Sequence, residues 1–435
     1  MVNSPSQTET TAGTADPAFN PSPALKAVNA FELHGLAHCD TSATLYLALS
    51  QGNRYALGAL DADGSAKPGF GDSGFIIDAF DDTTGDGVKP GRRVVQLGDR
   101  LILGGMVEHL PGQCSPALAC YTLTGERERS FNGNGQLILA DAVTGNSCAM
   151  GPITFETNLA LCSDGKAMGP LASTGRNQDF TQVNFDVAVR DDKIYVIATG
   201  RIGQQPRLSG FVFCVNGNGV LDNSFGDRGV VALSAANYSI LLRSIVLTDA
   251  CIYVAGGASG GHNPALVAKV SYQGRHDQQW GDIGRDGYGF SSQSFRINDV
   301  VVDKAGQLYG VGVGSQVRAI AVSFAEDGRQ RSSFGCKGAY LPGLPYSALT
   351  YAQVDLQGRL VFIGEYVDER TGYLQATCGR LNEQGQPDGK FGENGLAPLD
   401  AFDSIGTNVI VQADGRITAV GYTRRKAPFA CRLAG

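Results

Sequence analysis

One pentapeptide recurs along the chain: Phe70-Gly71-Asp72-Ser73-Gly74, Phe131-Asn132-Gly133-Asn134-Gly135, Phe225-Gly226-Asp227-Arg228-Gly229, Trp280-Gly281-Asp282-Ile283-Gly284, Phe334-Gly335-Cys336-Lys337-Gly338 and Phe391-Gly392-Glu393-Asn394-Gly395. A repeat at this spacing, about 55 residues, marks propellers and solenoids, in which each unit buries its apolar faces against its neighbours. The 435 residues therefore need not be divided into the two or three domains that length alone suggests. The interval between Phe131 and Phe225 is too long for one unit and must hold an insertion, placed at about 140–181. The 59 glycines exceed the ordinary share of about 7% nearly twofold, as an architecture made of turns requires.

Each copy follows an apolar strand and a glycine turn, as in Ala59-Leu60-Asp61-Ala62-Asp63-Gly64 and Ala321 to Gly328. Asp-Gly and Asn-Gly favour turns because glycine accepts positive φ without a Cβ clash. Two apolar runs joined by a short polar turn lie upstream (Asp299–Asp303 and Gln307–Val313), and one short run lies downstream (Val230–Leu233). Four strands per unit is the content of a propeller blade. The C-terminal run Pro428–Leu433 reads as a third strand that stops before its aromatic motif, and Gly13–Asn20 supplies the missing piece, with Phe19 as a seventh anchor. The expectation is an all-β fold: a single seven-bladed propeller over 14–435, closed by pairing its N-terminal strand with its C-terminal strands, which removes the exposed sheet edges. Residues 1–13 are expected to form a flexible segment. No stretch has a 3.6-residue apolar period long enough to assign a helix.

The units resemble the delta-60 repeat family of bacterial proteins, in which a strand ends in Asp-Gly-x-Leu-Asp-x-x-Phe-Gly-x-x-Gly; Gly219 to Gly229 matches best, and the similarity spans about 14–435. The resemblance implies propeller blades and a bacterial setting, and carries no catalytic signature. The sequence departs from the pattern at Trp280, and at Lys67 and Arg331, where the family has Asp.

The formal charge of −7 leaves no basic footprint for nucleic acid or anionic membranes. No apolar run is long enough for a membrane span, and Met1–Gly13 shows no secretory leader, so either a cytoplasmic place or export by a signal-independent route is expected. A monomer is expected. Ten cysteines without CxxC pairs suit neither a disulfide scaffold nor a zinc site. Cys120, Cys214, Cys378 and Cys431 lie in apolar strands and read as small buried hydrophobes. Cys148 with Cys162, and Cys114 with Cys120, are close enough in sequence to raise the question of disulfides.

Because the motif belongs to the connection between the third and fourth strands, its copies tile one face and serve packing. The variable connections emerge opposite, where binding residues are expected. That face receives the insertion, the loop 78–93, the loop 104–116 with Glu108 and His109, the loop 256–264 with His262, Arg207 within 200–209, Glu365 and Arg370 within 365–372, and Arg424. Asp81, Asp82 and Asp86 crowd three carboxylates near turn glycines, the oxygen-rich composition a Ca²⁺ ion accepts, although a solvated acidic turn has the same composition. No other cofactor is indicated.

There is no Gly-x-Ser-x-Gly elbow, phosphate loop or His-Glu-x-x-His. The leading expectation is a non-enzymatic binding protein for a glycan or protein ligand. The alternative is a hydrolase or lyase at the mouth of the central channel, with carboxylates and His109 or His262 as acid and base. The resemblance alone also implies a secreted toxin or virulence-associated factor.

Overall fold

The computed structural model describes residues 11–80, 90–110, 113–145, 152–155, 184–259, 263–282, 286–314, 317–344 and 346–435. The described chain is all-β, a propeller arrangement of antiparallel meanders laid down in sequence order. The first meander shows the unit: Glu32–Cys39, Thr44–Gln51, Arg54–Leu60 and Phe75–Ala79, each strand paired with the one before it. The same order recurs from Arg93–Leu97, Phe185–Arg190, Ser239–Leu247, the second half of Tyr288–Val302, and Ala348–Val354. Ser404–Val411, Ile417–Thr423 and Pro428–Leu433 form a three-stranded sheet. The first strands of successive meanders stand side by side, Glu32–Cys39 next to both Arg93–Leu97 and Ser404–Val411.

Short α-helices cover Ser22–Leu25 and Leu139–Gly145 and 3-10 turns cover Lys26–Val28 and Phe131–Gly133 among the described residues, and none is long and apolar enough to cross a membrane. Tyr288–Val302 runs without a loop from the last strand of one meander into the first of the next. The described part of the insertion adds a strand, Ile153–Phe155, pairing with Gly200–Ile202 on one side and with Cys114 on the other, and so joins two meanders into one sheet.

Apolar clusters lie between neighbouring meanders, where strand side chains alternate between the two faces. One cluster joins Phe19, Leu33 and Leu47 to Ile410 and Val420, from opposite ends of the sequence. The aromatic of the motif is a shared element of this packing. Phe70 meets Tyr46 at 6.0 Å between ring centroids, Phe225 meets Tyr195 at 5.8 Å, Trp280 meets Tyr253 at 5.5 Å and Phe334 meets Tyr309 at 5.8 Å. All four motif aromatics are buried.

The motif also latches each meander to the turn of the next. The N–H after the aromatic donates to a turn carbonyl: Asn20 to Asp63 (2.7 Å), Asn132 to Asn218 (2.7 Å), Gly226 to Gln273 (3.0 Å), Gly281 to Asp327 (2.9 Å), Gly335 to Gln384 (2.7 Å) and Gly392 to Ala12 (2.9 Å). The glycine following each acceptor has positive φ and lies against the donor's backbone: a Cβ on Gly274 would sit 2.3 Å from the Gly226 nitrogen. The acidic residue three before the aromatic caps its own turn and pairs with a base on the sheet, as Asp222 does with Ser224 and Lys193, and Asp388 with Lys390 and Arg380. Where the sequence has Lys67 instead, the pairing is reversed, with Lys67 Nζ 3.5 Å from Asp61.

The N-terminal segment runs along the last strand: Gly13 N–H donates to the Ala434 carbonyl (2.7 Å), Asp16 N–H to Arg432 (2.7 Å), and Ala434 N–H to Thr14 (2.9 Å). Among the described residues of this segment, Thr11 and Ala12 also accept backbone bonds, from Thr14 and Gly392. Cys114 and Cys120 lie on one strand, Gln113–Thr122, six positions apart along extended chain, about 20 Å. That excludes a bond between them. Cys148 and Cys162 lie outside the described residues.

Candidate functional site

Five of the first strands share a device that sets polar groups where these strands stand side by side. Pairing to the second strand steps over one residue at His34, Arg243, Asn298, Thr350 and Thr407. Such a bulge bends the strand and re-aims its side chains. Just after the step stand Gly35, Ser244, Asp299, Tyr351 and Asn408, while Arg93 and Asp186 lie on the two first strands whose pairing shows no step.

These residues bond from one meander to the next. Arg93 Nε donates to Asp186 Oδ1 (2.7 Å), and Asp186 Oδ2 accepts from the Ile245 N–H (3.1 Å). The Ser244 hydroxyl donates to Asp299 Oδ1 (2.6 Å), and Asp299 Oδ2 accepts from the Ala352 N–H (2.8 Å). The stepped-over residues continue the chain: Asn298 Nδ2 donates to the Leu349 carbonyl, Thr350 Oγ1 to Gly406 and Thr407 Oγ1 to Leu33, each at 2.7 Å. The Arg93 guanidinium lies 4.8 Å over the Tyr351 ring, a cation–π contact inside the same layer. Burial, reinforced by the Asp186 charge, pushes the Asp299 carboxyl up to about 7.

Earlier residues of each first strand lie toward the loop-rich end, where the chain arrives from the preceding meander. Arg92, Arg243 and Arg296 gather there. Arg243 is buried, and Arg92 and Arg296 are half-buried. Burial lowers Arg243 well below the usual guanidinium range, and the charges of Arg296 and Arg92 lower it further; burial and the neighbouring Arg93 bring Arg92 down to about 10. Arg92 Nη1 donates to His34 Nδ1 (3.3 Å); His34 Nε2 lies 3.3 Å from Glu32, which also receives Lys426 Nζ at 3.3 Å.

The sequence-predicted residues do not converge on this cluster. Asp81, Asp82, Asp86 and His262 lie outside the described residues, as does the His109 side chain. Glu108 and the His109 backbone belong to the strand Arg100–Leu110 and not to a loop, because the hairpin Met106–Val107 with Ser115–Pro116 keeps pairing through the stretch expected to be irregular. Glu365 is likewise not on a loop. It sits within Leu360–Val367 opposite Ala348, buried, and burial pushes its carboxyl up to about 8. Arg207 and Arg370 are exposed at the loop-rich end, Arg370 with its Nε 3.4 Å from Asp368. Arg424 is tied to the preceding turn, its N–H donating to the Asp403 carbonyl (2.9 Å). Among the described residues no group of three or more His, Cys, Asp or Glu could hold a metal ion.

The residues missed in sequence are Arg92, Arg93, Asp186, Arg243, Arg296 and Asp299. The available signal was a charge interrupting an apolar first strand, as in Leu241-Leu242-Arg243-Ser244-Ile245 and Ile297-Asn298-Asp299-Val300. A second missed feature is an exposed aromatic pair at the loop-rich end. Tyr373 and Phe402 are 44% and 68% exposed, with centroids 4.6 Å apart at 56°, beside the Asp368–Arg370 turn.

No family model matches this chain, and no curated protein matches it. Among solved structures, a puromycin hydrolase aligns at TM-score 0.47 and 11% identity over 97% of this chain and 55% of that one. A Dos1 propeller aligns at TM-score 0.41 and 11% identity over 92% and 77%, and an endo-arabinase from Bacteroides thetaiotaomicron at TM-score 0.34 and 10% identity over 57% and 92%.

Proposed function

We propose that the chain is a seven-bladed propeller, closed by its own termini, which binds a glycan or protein ligand at its loop-rich end without transforming it. Support for the ring comes from the recurrence of the Gly392–Ala12 latch and the Thr407–Leu33 bond between the last and first parts of the sequence. On the face carrying the motifs, the motif amides and turn carbonyls are used in holding meanders together. The opposite end carries the exposed rings of Tyr373 and Phe402.

The observation that carries the binding reading is the Tyr373–Phe402 pair. Two exposed rings beside a turn bearing Asp368 and Arg370 offer stacking for a sugar face, with charged hydrogen-bonding groups at its edge. A glycan is thus the favoured ligand. The test is a glycan array followed by titration of any hit against Tyr373→Ser and Phe402→Ser. Loss of about tenfold or more in affinity is expected for each, from removing one stacked ring. Unchanged affinity in both variants would sink the assignment.

The second reading, a hydrolase or lyase, is favoured by one observation. Asp299, at about 7, lies in the range of a general acid at neutral pH. Its two oxygens are already engaged by Ser244 and the Ala352 N–H, which is why binding is placed first. Turnover abolished by Asp299→Asn in a folded protein would reverse that order.

A further inference from the structure

We propose that the cleft beside the second copy of the motif is a binding site for one neutral sugar residue, held by the side-chain amides of Asn132 and Asn134. The site goes beyond the aromatic rim of Tyr373 and Phe402, with which it shares no residue and on which it does not depend.

This copy of the turn is built differently from four others. In those four the second and fourth residues take the left-handed conformation: Gly71 and Ser73, Gly226 and Arg228, Gly335 and Lys337, and Gly392 and Asn394 all have φ of 51–58°. In the second copy the left-handed pair is Asn132 and Gly133, at 50° and 79°, and the fourth residue, Asn134, stands at −135°. The four share a main-chain bond from the third residue into the following strand, as from Asp227 to the Val230 carbonyl (2.8 Å) and from Cys336 to Ala339 (2.7 Å). Here the corresponding carbonyl, that of Gln136, accepts instead from Asn132 Nδ2 (2.7 Å). A Cβ on the second glycine of the four would fall 2.1–2.4 Å from that carbonyl oxygen, so a side chain at position 132 requires the re-formed turn. Asparagine is among the few residues that accept the left-handed conformation at small cost. The Asn132 N–H still makes the latch to Asn218, so packing does not call for the side chain.

Beside this turn lies a cleft of about 320 Å³, lined by Asn132, Asn134, Gln136 and Asp141 together with apolar residues such as Leu137 and Ala142. That is the small end of ligand sites, which run from about 300 to 1,000 Å³, and it suits one ring. Gln136 is buried, with its Nε2 donating to the Ala79 carbonyl (3.0 Å). Each asparagine is pinned by one end of its amide: Asn132 Nδ2 on the Gln136 carbonyl, and Asn134 Oδ1 accepting from the Gln136 N–H (2.9 Å). The other ends, Asn132 Oδ1 and Asn134 Nδ2, bond to no described residue, and both side chains are exposed. An acceptor and a two-proton donor in fixed positions match neighbouring hydroxyls of a sugar, each of which donates and accepts. Because the amides are already held, little side-chain freedom is lost when a ligand arrives. No Lys, Arg or His is among the described residues of the lining, so nothing there selects an anion.

The experiment is a saturation-transfer NMR titration of the full chain with the methyl glycosides of glucose, galactose and mannose and with N-acetylglucosamine. Cyclohexanol, a ring of similar size with a single hydroxyl, is the control. Saturable binding of at least one sugar, and none of cyclohexanol, is expected. Asn132→Gly gives this copy the residue that the other five carry, so it is expected to fold while losing the acceptor. Asn134→Asp keeps an oxygen for the Gln136 N–H and removes the donor. Each should weaken binding by about fivefold or more, the loss of one hydrogen bond. Absence of saturable binding by all four sugars in the wild-type chain overturns the proposal, and so does an unchanged Kd in both variants. Tyr373→Ser separates this site from the rim. Binding that survives Tyr373→Ser and weakens in Asn132→Gly supports the cleft even if the rim reading fails, whereas binding that is lost in Tyr373→Ser and survives Asn132→Gly overturns the cleft and leaves the rim standing.

Discussion

The N–H of Gly392 donates to the carbonyl oxygen of Ala12 at 2.9 Å, and this bond between distant parts of the sequence has the form of the bond from Gly335 to Gln384. Both donors have positive φ, 53° and 58°. A side chain at Gly392 meets two costs. The left-handed conformation costs a β-branched residue about 1–2 kcal/mol, and a Cβ would fall 2.1 Å from the Leu396 carbonyl oxygen, so the turn must shift and the latch is lost. Gly392→Val is expected to destabilise by about 2–4 kcal/mol in urea unfolding. Gly415→Val is the control: its φ is 86° but nothing lies within 4 Å of its Cβ, so only the conformational cost, about 1–2 kcal/mol, should appear. Equal losses in the two variants would show that the latch contributes nothing.

Arg93 and Asp186 are both buried, and their 2.7 Å bond crosses between meanders. Removing one partner strands a charge in a low-dielectric interior. Asp186→Ala is therefore expected to cost about 3–5 kcal/mol. The double variant Arg93→Met with Asp186→Ala removes the stranded charge as well, and should recover about 2 kcal/mol or more relative to the sum of the single losses. Additive losses in a double-mutant cycle would mean that the two side chains act independently.

Glu365 gives a pH dependence with a defined sign. Its carboxyl rises from an ordinary 4.5 to about 8 in the folded chain, through burial. Between those values the folded state binds the proton that the unfolded state has released, so stability falls as pH rises from about 4.5 to about 8 and levels off above. Glu365→Gln removes the ionisation. Its stability relative to wild type should improve across that window, by an amount on the order of a few kcal/mol at pH 8. Chemical denaturation at pH 5, 6.5 and 8 checks this; a difference independent of pH would refute it.

The meander and the place of the aromatic motif were legible because both depend on local chemistry. Alternating apolar runs and Asp-Gly turns act within a few residues, and Phe225 packs on Tyr195 of its own meander. The polar layer was not, because its partners are brought together only where first strands of different meanders stand side by side: nothing near Arg93 in sequence points to Asp186, and nothing near Asn298 points to the Leu349 carbonyl. Glu365 was misread for a related reason. A carboxylate after Gly364 suggests a loop, but the strand continues to Val367 because Tyr366 and Val367 pair with Gln375 and Leu374. Exposure of Tyr373 and Phe402 was also invisible, since apolar rings in sequence are ordinarily core.

Trp280 supplies a test of ring closure. It is the only tryptophan, it is buried, and its Nε1 donates to the Glu326 carbonyl at 2.7 Å across the junction between two meanders, far in sequence from either terminus. If the termini close a ring, opening the edge between them exposes strands Glu32–Cys39 and Pro428–Leu433 and weakens the whole array, and the full chain should unfold in one transition. Tryptophan emission and far-ultraviolet circular dichroism are then expected to coincide in urea. A chain lacking residues 1–20 loses Phe19, the Asp16–Arg432 pair at 2.8 Å and the bonds of Ala12 and Gly13, and meanders near the opened edge should melt before Trp280 reports. The dichroism midpoint should therefore fall below the emission midpoint in the shortened chain. Coincident and unshifted midpoints after the deletion would show that the N-terminal segment closes nothing.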